Sequence, residues 1–419
     1  MSRNLSVDAA RIERDLADLA AITEPGRPWT RRSFTPLFLE GRAHVQRLMQ
    51  EAGLETRIDA AGNLLGLRKG AKTGGGAIML GSHSDTVPDG GRFDGVAGVV
   101  VALEVARALT ERGVALNHDL VIADFLAEEV SGFGVSCIGS RGLTGQFPEG
   151  WLSRQWEGRS LADAIGEVGG NALAISALQV PEIKGFFELH IEQGPVLERE
   201  AVDIGIVTAI SGITRIELTF NGSPGHAGTT PMGARADALV AASRFVIAVR
   251  EAAMVLARQP GHFTATVGEF RMEPNAANVV PATVKLLIDA RAEHRPDMET
   301  FIRWVNAEAA RMDGVEGVAV PAPVVISDNA PVPSDAGLLE TLEIACDRIG
   351  ASHRPMASGA GHDAAWIARK APAAMIFVAC KDGLSHAAEE WAENDAIALG
   401  AEVLFEAVVA LDLQENKEV

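Results

Sequence analysis

Tyrosine is absent from this chain of 419 residues, so no phenol serves it as acid, nucleophile or oxyanion donor. Cysteine is scarce: Cys137, Cys346 and Cys380 are odd in number, far apart and outside any CxxC pair. That usage suits a reducing compartment and offers no disulfide framework. Long apolar runs are missing too. The most apolar stretch, Gly95 to Leu109, contains Glu104 and is too short to span a bilayer. The amino terminus carries charges at helical spacing and lacks the apolar core of a signal peptide, so the expected place is the cytoplasm, with no membrane partner. Positive charge is in deficit. A formal net charge of -19 and no basic patch argue against a nucleic-acid surface, whereas carboxylates in such excess can recruit cations.

What is present reads as a folded globular protein, with 47% hydrophobic and 22% charged residues. The length favours two domains. Residues 8 to 22 and 36 to 53 repeat apolar positions at helical steps. Short apolar runs at Ala77 to Leu80, Leu120 to Leu126, Phe186 to Ile191 and Ala374 to Val378 then read as buried strands with helices such as Val96 to Leu109 between them. The fold class is therefore α/β, a mixed sheet flanked by helices. From Ile204 the texture changes: strand to Phe220, helix Ala236 to Arg258, strand Phe263 to Phe270, strand Val279 to Ile288, helix Met298 to Met312. That order suggests a smaller α+β sandwich inserted into the first domain. The expected division is 1–208, 209–329 and 330–419, with Pro331 and Pro333 marking the return.

Candidate ligands fall where predicted strands end, the edge at which open α/β sheets place their sites. His83 and Asp85 in GSHSDTV lie two residues apart and face one side of an extended chain, so one can bind an ion while Asp85 orients the imidazole. Asp94 in GGRFDG sits between glycines that allow a sharp turn, and its two oxygens can bridge two cations. Glu128 and Glu129 are adjacent carboxylates, costly to hold together without nearby positive charge. A metal supplies that charge, leaving the carboxylate that does not ligate as a general base. His190 in FELHIEQG and His386 in DGLSHA complete the set. Taken singly, each is more often a plain loop, turn or core residue; five together at strand ends are not. The set fits zinc, manganese, cobalt or nickel. The glycine-rich Ser358–Asp363 segment lacks the Lys-Ser/Thr of a phosphate loop, no GxSxG elbow accompanies it, and it reads as a pocket wall.

GSHSDTVPDGGRFDG, ELHIEQGPVLE, HAGTTPMGARAD, NVVP and SGAGHDA stand in this order along nearly the whole chain. In these motifs the sequence resembles the M20 metallopeptidase superfamily, and within it the amidase, hydantoinase/carbamoylase branch. The resemblance implies two divalent ions per subunit. His83, Asp94 and His190 would hold one; Asp94, Glu129 and His386 would hold the other, with Glu128 as general base. A histidine at 190 favours the amidase branch over the peptidases. The resemblance also implies a homodimer through the inserted domain, which would close over the site, and a substrate bound by His226, Asn278 and Arg291. Arg291 offers a planar fork for a substrate carboxylate, Gln193 suits a ureido group, and His226 can stabilise an oxyanion. Arg215 and the backbone at Gly359 are weaker candidates. Two departures stand out: EEVSGFG where the branch usually has EEG followed by an arginine-phenylalanine pair, and Ser223-Pro-Gly-His226 in place of the more usual asparagine before the histidine.

The expected reaction is hydrolysis of a linear amide C–N bond, foremost the ureido bond of an N-carbamoyl-L-amino acid. Allantoate, ureidoglycolate and β-ureidopropionate are the alternatives. More remote are a peptidase or aminoacylase of the wider superfamily, and a non-catalytic metal-binding dimer. The last conflicts with an unligated Glu128 beside the metal.

Overall fold

The computed structural model describes residues 5–72, 74–178 and 182–414. It divides into two compact units, Met1–Thr208 with Pro333–Pro355 and His362–Val419, and Ala209–Val332 with Met356–Gly361. The sequence reading placed 356–361 with the larger unit. It groups with the smaller one, where the Ser358 carbonyl accepts the Ser211 N–H at 2.9 Å and the Gly359 carbonyl accepts Arg291 Nη1 at 2.7 Å.

The larger unit is built on a nine-stranded mixed sheet. Its centre is four parallel strands in the order Asp119–Phe125, Ala77–His83, Ile183–Ile191, Ala373–Val378. These strands are buried almost without interruption, as parallel strands covered on both faces must be. Two antiparallel strands, Glu55–Ile58 and Leu64–Arg68, extend one side and Ile204–Ile210 extends the other. Because the central strands run the same way, their carboxyl ends lie along one edge, which carries His83, the Glu128–Glu129 pair, His190 and the loop to His386.

The helix Val96–Glu111 begins two residues after Asp94 and is buried along most of its length, in one core with the helices Ala9–Ala21, Ala336–Ile349 and Asn394–Leu413. Glu104 is fully buried on it. Arg11 meets this carboxylate with Nε at 2.6 Å and Nη2 at 2.8 Å, and the Asp8 N–H adds a third donor at 2.8 Å. Removing Arg11 strips this buried charge of its hydrogen-bonded partner and leaves only Arg107, 3.8 Å away, to face it. Arg11→Ala is expected to cost about 3 kcal/mol of stability, read as a lower denaturant midpoint with unchanged slope. Arg11→Lys should recover part of it.

The smaller unit is a four-stranded antiparallel sheet in the order Phe263–Glu273, Thr283–Ala292, Gly212–Asn221, Val324–Asp328. Alternate residues Ile216, Leu218, Phe220, Val284, Leu286 and Ile288 turn inward. They pack with Phe245 and Val249 of helix Ala238–Leu256 and Phe301 and Val305 of helix Arg295–Met312. The expected single strand from Val279 to Ile288 is two. Pro281 has no N–H to give a ladder, so Val279–Val280 pairs with Gly225–His226 and the sheet strand starts at Thr283. Among the described residues no helix is long and apolar enough to cross a membrane.

Candidate metal centre

Parallel strands bring two imidazoles to one edge. His83 closes Ala77–His83, and His190 is the penultimate residue of Ile183–Ile191; both are buried. His83 Nδ1 meets the Asp85 carbonyl at 3.0 Å and His190 Nδ1 meets the Ile191 carbonyl at 2.9 Å. An Nδ1–H donated to backbone leaves the Nε2 lone pair available. The expected orienting group for His83 was the Asp85 carboxylate. Asp85 faces His83 Nδ1 with its carbonyl and also with a carboxylate oxygen at 3.6 Å, the same oxygen that accepts the Glu128 N–H at 3.2 Å.

Asp94 divides its oxygens. Oδ1 lies 3.5 Å from His83 Nε2 and 3.1 Å from His190 Nε2; Oδ2 lies 2.9 Å from His386 Nε2, which is 3.1 Å from Glu129 Oε1. Each triad, His83–Asp94–His190 and Asp94–Glu129–His386, keeps its ligand atoms within 4.8 Å of one another. Nitrogen and oxygen ligands about 2.0–2.2 Å from a tetrahedral ion stand about 3.3–3.6 Å apart, so both triads have the dimensions of an ion site. The donors are imidazole and carboxylate without thiolate, a set suited to zinc, manganese, cobalt or nickel. The Gly95 N–H also points at His190 Nε2 (3.1 Å), a contact that an ion there displaces.

Electrostatics favour cation capture. Burial would raise the Asp94 carboxyl, but hydrogen bonds from His190, His386 and His83 outweigh it and hold the group well below the usual range. His386, bonded first by Asp94 and then by Glu129, is pushed up to about 10. Without an ion its proton therefore stabilises the fold fully below the ordinary histidine value, and that contribution is lost as pH rises through about 10. An ion must displace this proton. Calorimetric titration in buffers of different ionisation enthalpy should show net proton release at pH 7.5, shrinking toward pH 10, with affinity rising over the same span.

Glu128 and Glu129 follow Ala127, whose φ of 50° turns the chain sharply after the strand Asp119–Phe125. Glu129 reaches His386, whereas Glu128 is buried with Oε2 3.7 Å from His83 Nε2. Burial, and then the neighbouring Glu129, Asp363 and Asp85 against His83, push Glu128 well above the usual carboxyl range. A nearby cation reverses that push. Left-handed backbone at Ala127, Cys137, Gln193 and His386 clusters around the centre, as strained non-glycine residues do at functional sites.

The remaining candidates distribute as follows. Gln193 donates Nε2 to Asp94 Oδ2 at 2.9 Å, and its Oε1 is buried with no partner among the described residues. In the smaller unit, His226 pairs with Val279 across a two-residue ladder that also bonds the Ala227 N–H to the Asn278 carbonyl at 3.0 Å. His226 is thus brought beside Asn278. Arg291 joins Asp289 at 2.8 Å and the Gly359 carbonyl, while Arg215 reaches the other oxygen of Asp289 at 3.2 Å. The EEVSGFG departure has a physical counterpart. A Cβ on Gly132 would stand 2.1 Å from the Trp156 ring, which Phe133 meets edge-on, so the indole fills the space a longer side chain would need.

Sequence reasoning missed several groups. Glu390, 1% exposed, accepts the N–H groups of Phe93 and Asp94, and it gave no signal within the acidic run AEEWAE. Cys137 lies 3.4 Å from Glu128 Oε1. His362 packs edge-on against the His190 ring at 4.6 Å, and Glu188 takes the Ser82 hydroxyl at 2.8 Å and the Ala364 N–H at 3.1 Å. The SGAGHDA and FELH motifs carried the signal for these two.

Comparison with known proteins gives the family. The model of peptidase family M20/M25/M40 matches residues 79–410. An N-carbamoyl-L-amino-acid amidohydrolase of Paenarthrobacter aurescens is 34% identical over 409 residues, 96% of this chain and 98% of that protein. A ureidoglycolate hydrolase of Oryza sativa subsp. japonica is 34% identical over 416 residues, 97% of this chain and 86% of that one. The crystal structure of an amidase of the hydantoinase/carbamoylase family from Burkholderia multivorans superposes with a TM-score of 0.90 at 35% identity, covering 97% of this chain and 98% of its own. The chain belongs to peptidase family M20/M25/M40, in its hydantoinase/carbamoylase amidase branch, and is a hydrolase of carbon–nitrogen bonds other than peptide bonds.

Proposed function

We propose that the chain is a two-ion amidohydrolase that cleaves the ureido C–N bond of an N-carbamoyl-L-amino acid. The observation that carries this reading is the division of Asp94 between two histidine-bearing triads beside a buried, unligated Glu128. His83, Asp94 and His190 hold one ion and Asp94, Glu129 and His386 the other. When bound, the ions lower the pKa of water and stabilise developing negative charge at the attacked carbonyl. Glu128 takes the proton of the attacking water at its carboxylate and returns it to the leaving nitrogen. The partnerless Oε1 of Gln193 is free to accept a ureido N–H. Arg291 takes the substrate carboxylate and so disfavours uncharged amides, and His226 supports the oxyanion. Asn278, Arg215 and Gly359 make lesser substrate contacts. The products are the amino acid, carbon dioxide and ammonia.

The smaller unit serves as a homodimer surface in this reading, supported by the exposed Val324, Val325 and Ile326 of its edge strand and Ile247 of its helix Ala238–Leu256. The three cysteines are free and buried, in keeping with the cytoplasm. A second reading, ureidoglycolate or a related ureido acid such as allantoate or β-ureidopropionate, is favoured by the similarity to a ureidoglycolate hydrolase.

The test is ammonia release from N-carbamoyl-L-amino acids, allantoate, ureidoglycolate and β-ureidopropionate, with stripped protein reloaded with manganese or zinc. Metal-dependent release from a carbamoyl amino acid, absent in Glu128→Ala, is expected. Release confined to ureidoglycolate or allantoate selects the second reading, and release from none with metal bound overturns both.

A further inference from the structure

His83 and His190 sit within buried strands, and their places are set by the sheet. His386 has no such support. It lies in the loop after the turn Lys381–Gly383, its side chain is 48% exposed, and its φ is 54°. Gln193 Nε2 on Ser385 Oγ at 3.2 Å and Trp29 Nε1 on the Ala388 carbonyl at 3.1 Å help to hold this loop, and so does a buried acid absent from every ligand set. Glu390 Oε1 accepts the Phe93 N–H at 2.8 Å and the Asp94 N–H at 3.1 Å, and its Oε2 accepts the Ser385 hydroxyl at 2.8 Å. Ser385 precedes His386, and its Oγ lies 3.1 Å from Asp94 Oδ2. The turn that presents Asp94 is shaped around this acid: a Cβ on Gly91 would stand 1.9 Å from the Glu390 carboxyl, so only glycine fits. The next residue, Trp391, packs edge-on against Phe93 at 5.5 Å. One carboxylate thus joins two ligand-bearing segments about three hundred residues apart in sequence.

We infer that Glu390, acting through Ser385, is a positioning residue that makes the Asp94–Glu129–His386 ion site depend on the 385–391 loop more than the His83–Asp94–His190 site, whose two histidines the sheet holds. The inference rests on the two-ion reading. The physical basis is one-sided support. Removing Glu390 orphans two backbone donors under Asp94 and takes away one of the three partners of the Ser385 hydroxyl, the others being Asp94 Oδ2 and Gln193 Nε2, yet leaves the strands that carry His83 and His190 in place. The packing of Trp391 keeps the loop near the turn, so the loss appears first in the geometry of His386. Partners that orient ligands typically change metal affinity by about 10–100-fold.

Stripped wild type, Ser385→Ala, Glu390→Gln and Glu390→Ala are titrated with Zn2+ by calorimetry. Bound ion is counted by elemental analysis, and folding is checked by thermal melting. Wild type should bind two ions. Ser385→Ala should weaken the second ion at least tenfold and leave the first within twofold. Glu390→Ala should retain one ion, and Glu390→Gln, which keeps the acceptor toward the two N–H groups and can donate to Ser385, should retain two. In steady-state assays the loss in Glu390→Ala should fall on kcat and be recovered by added metal. Wild type binding a single ion overturns the two-ion reading and this inference with it. Two ions of unchanged affinity in both Ser385→Ala and Glu390→Ala overturn the inference alone, as does equal weakening of both ions in Ser385→Ala. Should Glu390→Ala fail to fold, Ser385→Ala decides.

Discussion

Asp94→Asn should abolish hydrolysis and empty both ion sites together. The two oxygens of Asp94 face different triads, one toward His83 and His190 and the other toward His386. An amide keeps the volume but carries one acceptor oxygen, so whichever way it turns, an NH2 group faces one set of imidazole nitrogens and repels a cation there. The charge that holds both ions is also gone. The activity loss should exceed about 10³-fold, beyond the roughly 10–100-fold that follows loss of an orienting partner alone. Zinc content should fall toward zero. The histidines, relieved of the Asp94 charge, should fall toward their ordinary pKa while His386 keeps Glu129 at 3.1 Å, so the alkaline loss of stability expected of the metal-free protein should shrink. A variant that keeps one ion at wild-type affinity would show that Asp94 serves one site only and that the bridging assignment is wrong. Asp94→Glu, with the charge displaced by one methylene, should retain some metal and little activity.

How much of this centre was legible in the sequence follows from how each group is carried. His83, Asp94, the Glu128–Glu129 pair, His190 and His386 lie at or just beyond apolar runs, and the rule that sites gather at the carboxyl ends of parallel strands turned five separated letters into one cluster. The four central strands were legible for the same reason, because burial on both faces writes an uninterrupted apolar run. Edge elements were not. Glu55–Ile58 carries a single apolar residue on an alternately exposed strand, and Leu64–Arg68 is only five residues long and interrupted by Gly66. Glu390 was invisible because its meaning depends on the turn 91–94, far away in sequence, and an acid beside another acid reads as solvated. The backbone role of Asp85 was hidden as well, since sequence shows a carboxylate and never a carbonyl. In the smaller unit, the break at Pro281 outweighed an apolar pattern that continued across it.

Glu128→Gln should lower kcat by about 10²–10⁴-fold while leaving KM and the ion count near wild type, since that range is what a positioned general base contributes. Glu128 belongs to neither triad, and glutamine matches its shape closely enough to stay in the same buried place. It keeps an oxygen that can accept the thiol of Cys137, 3.4 Å from Glu128 Oε1. What it loses is the capacity to take a proton and hand it on. The neighbour supplies the contrast. Glu129 reaches His386 at 3.1 Å, so Glu129→Gln should lower the affinity of the second ion, and added metal should recover part of the activity. Added metal should recover none in Glu128→Gln. The pH profile separates the two again. Burial and adjacent carboxylates push Glu128 upward and the positive charge of His83 opposes them, so bound cations should bring it down toward the working range. Wild-type kcat should therefore rise with pH through an acidic limb, and that limb should vanish in Glu128→Gln. Persistence of the limb with wild-type kcat would assign the proton transfer to another group and leave Glu128 as a buried carboxylate without a catalytic part.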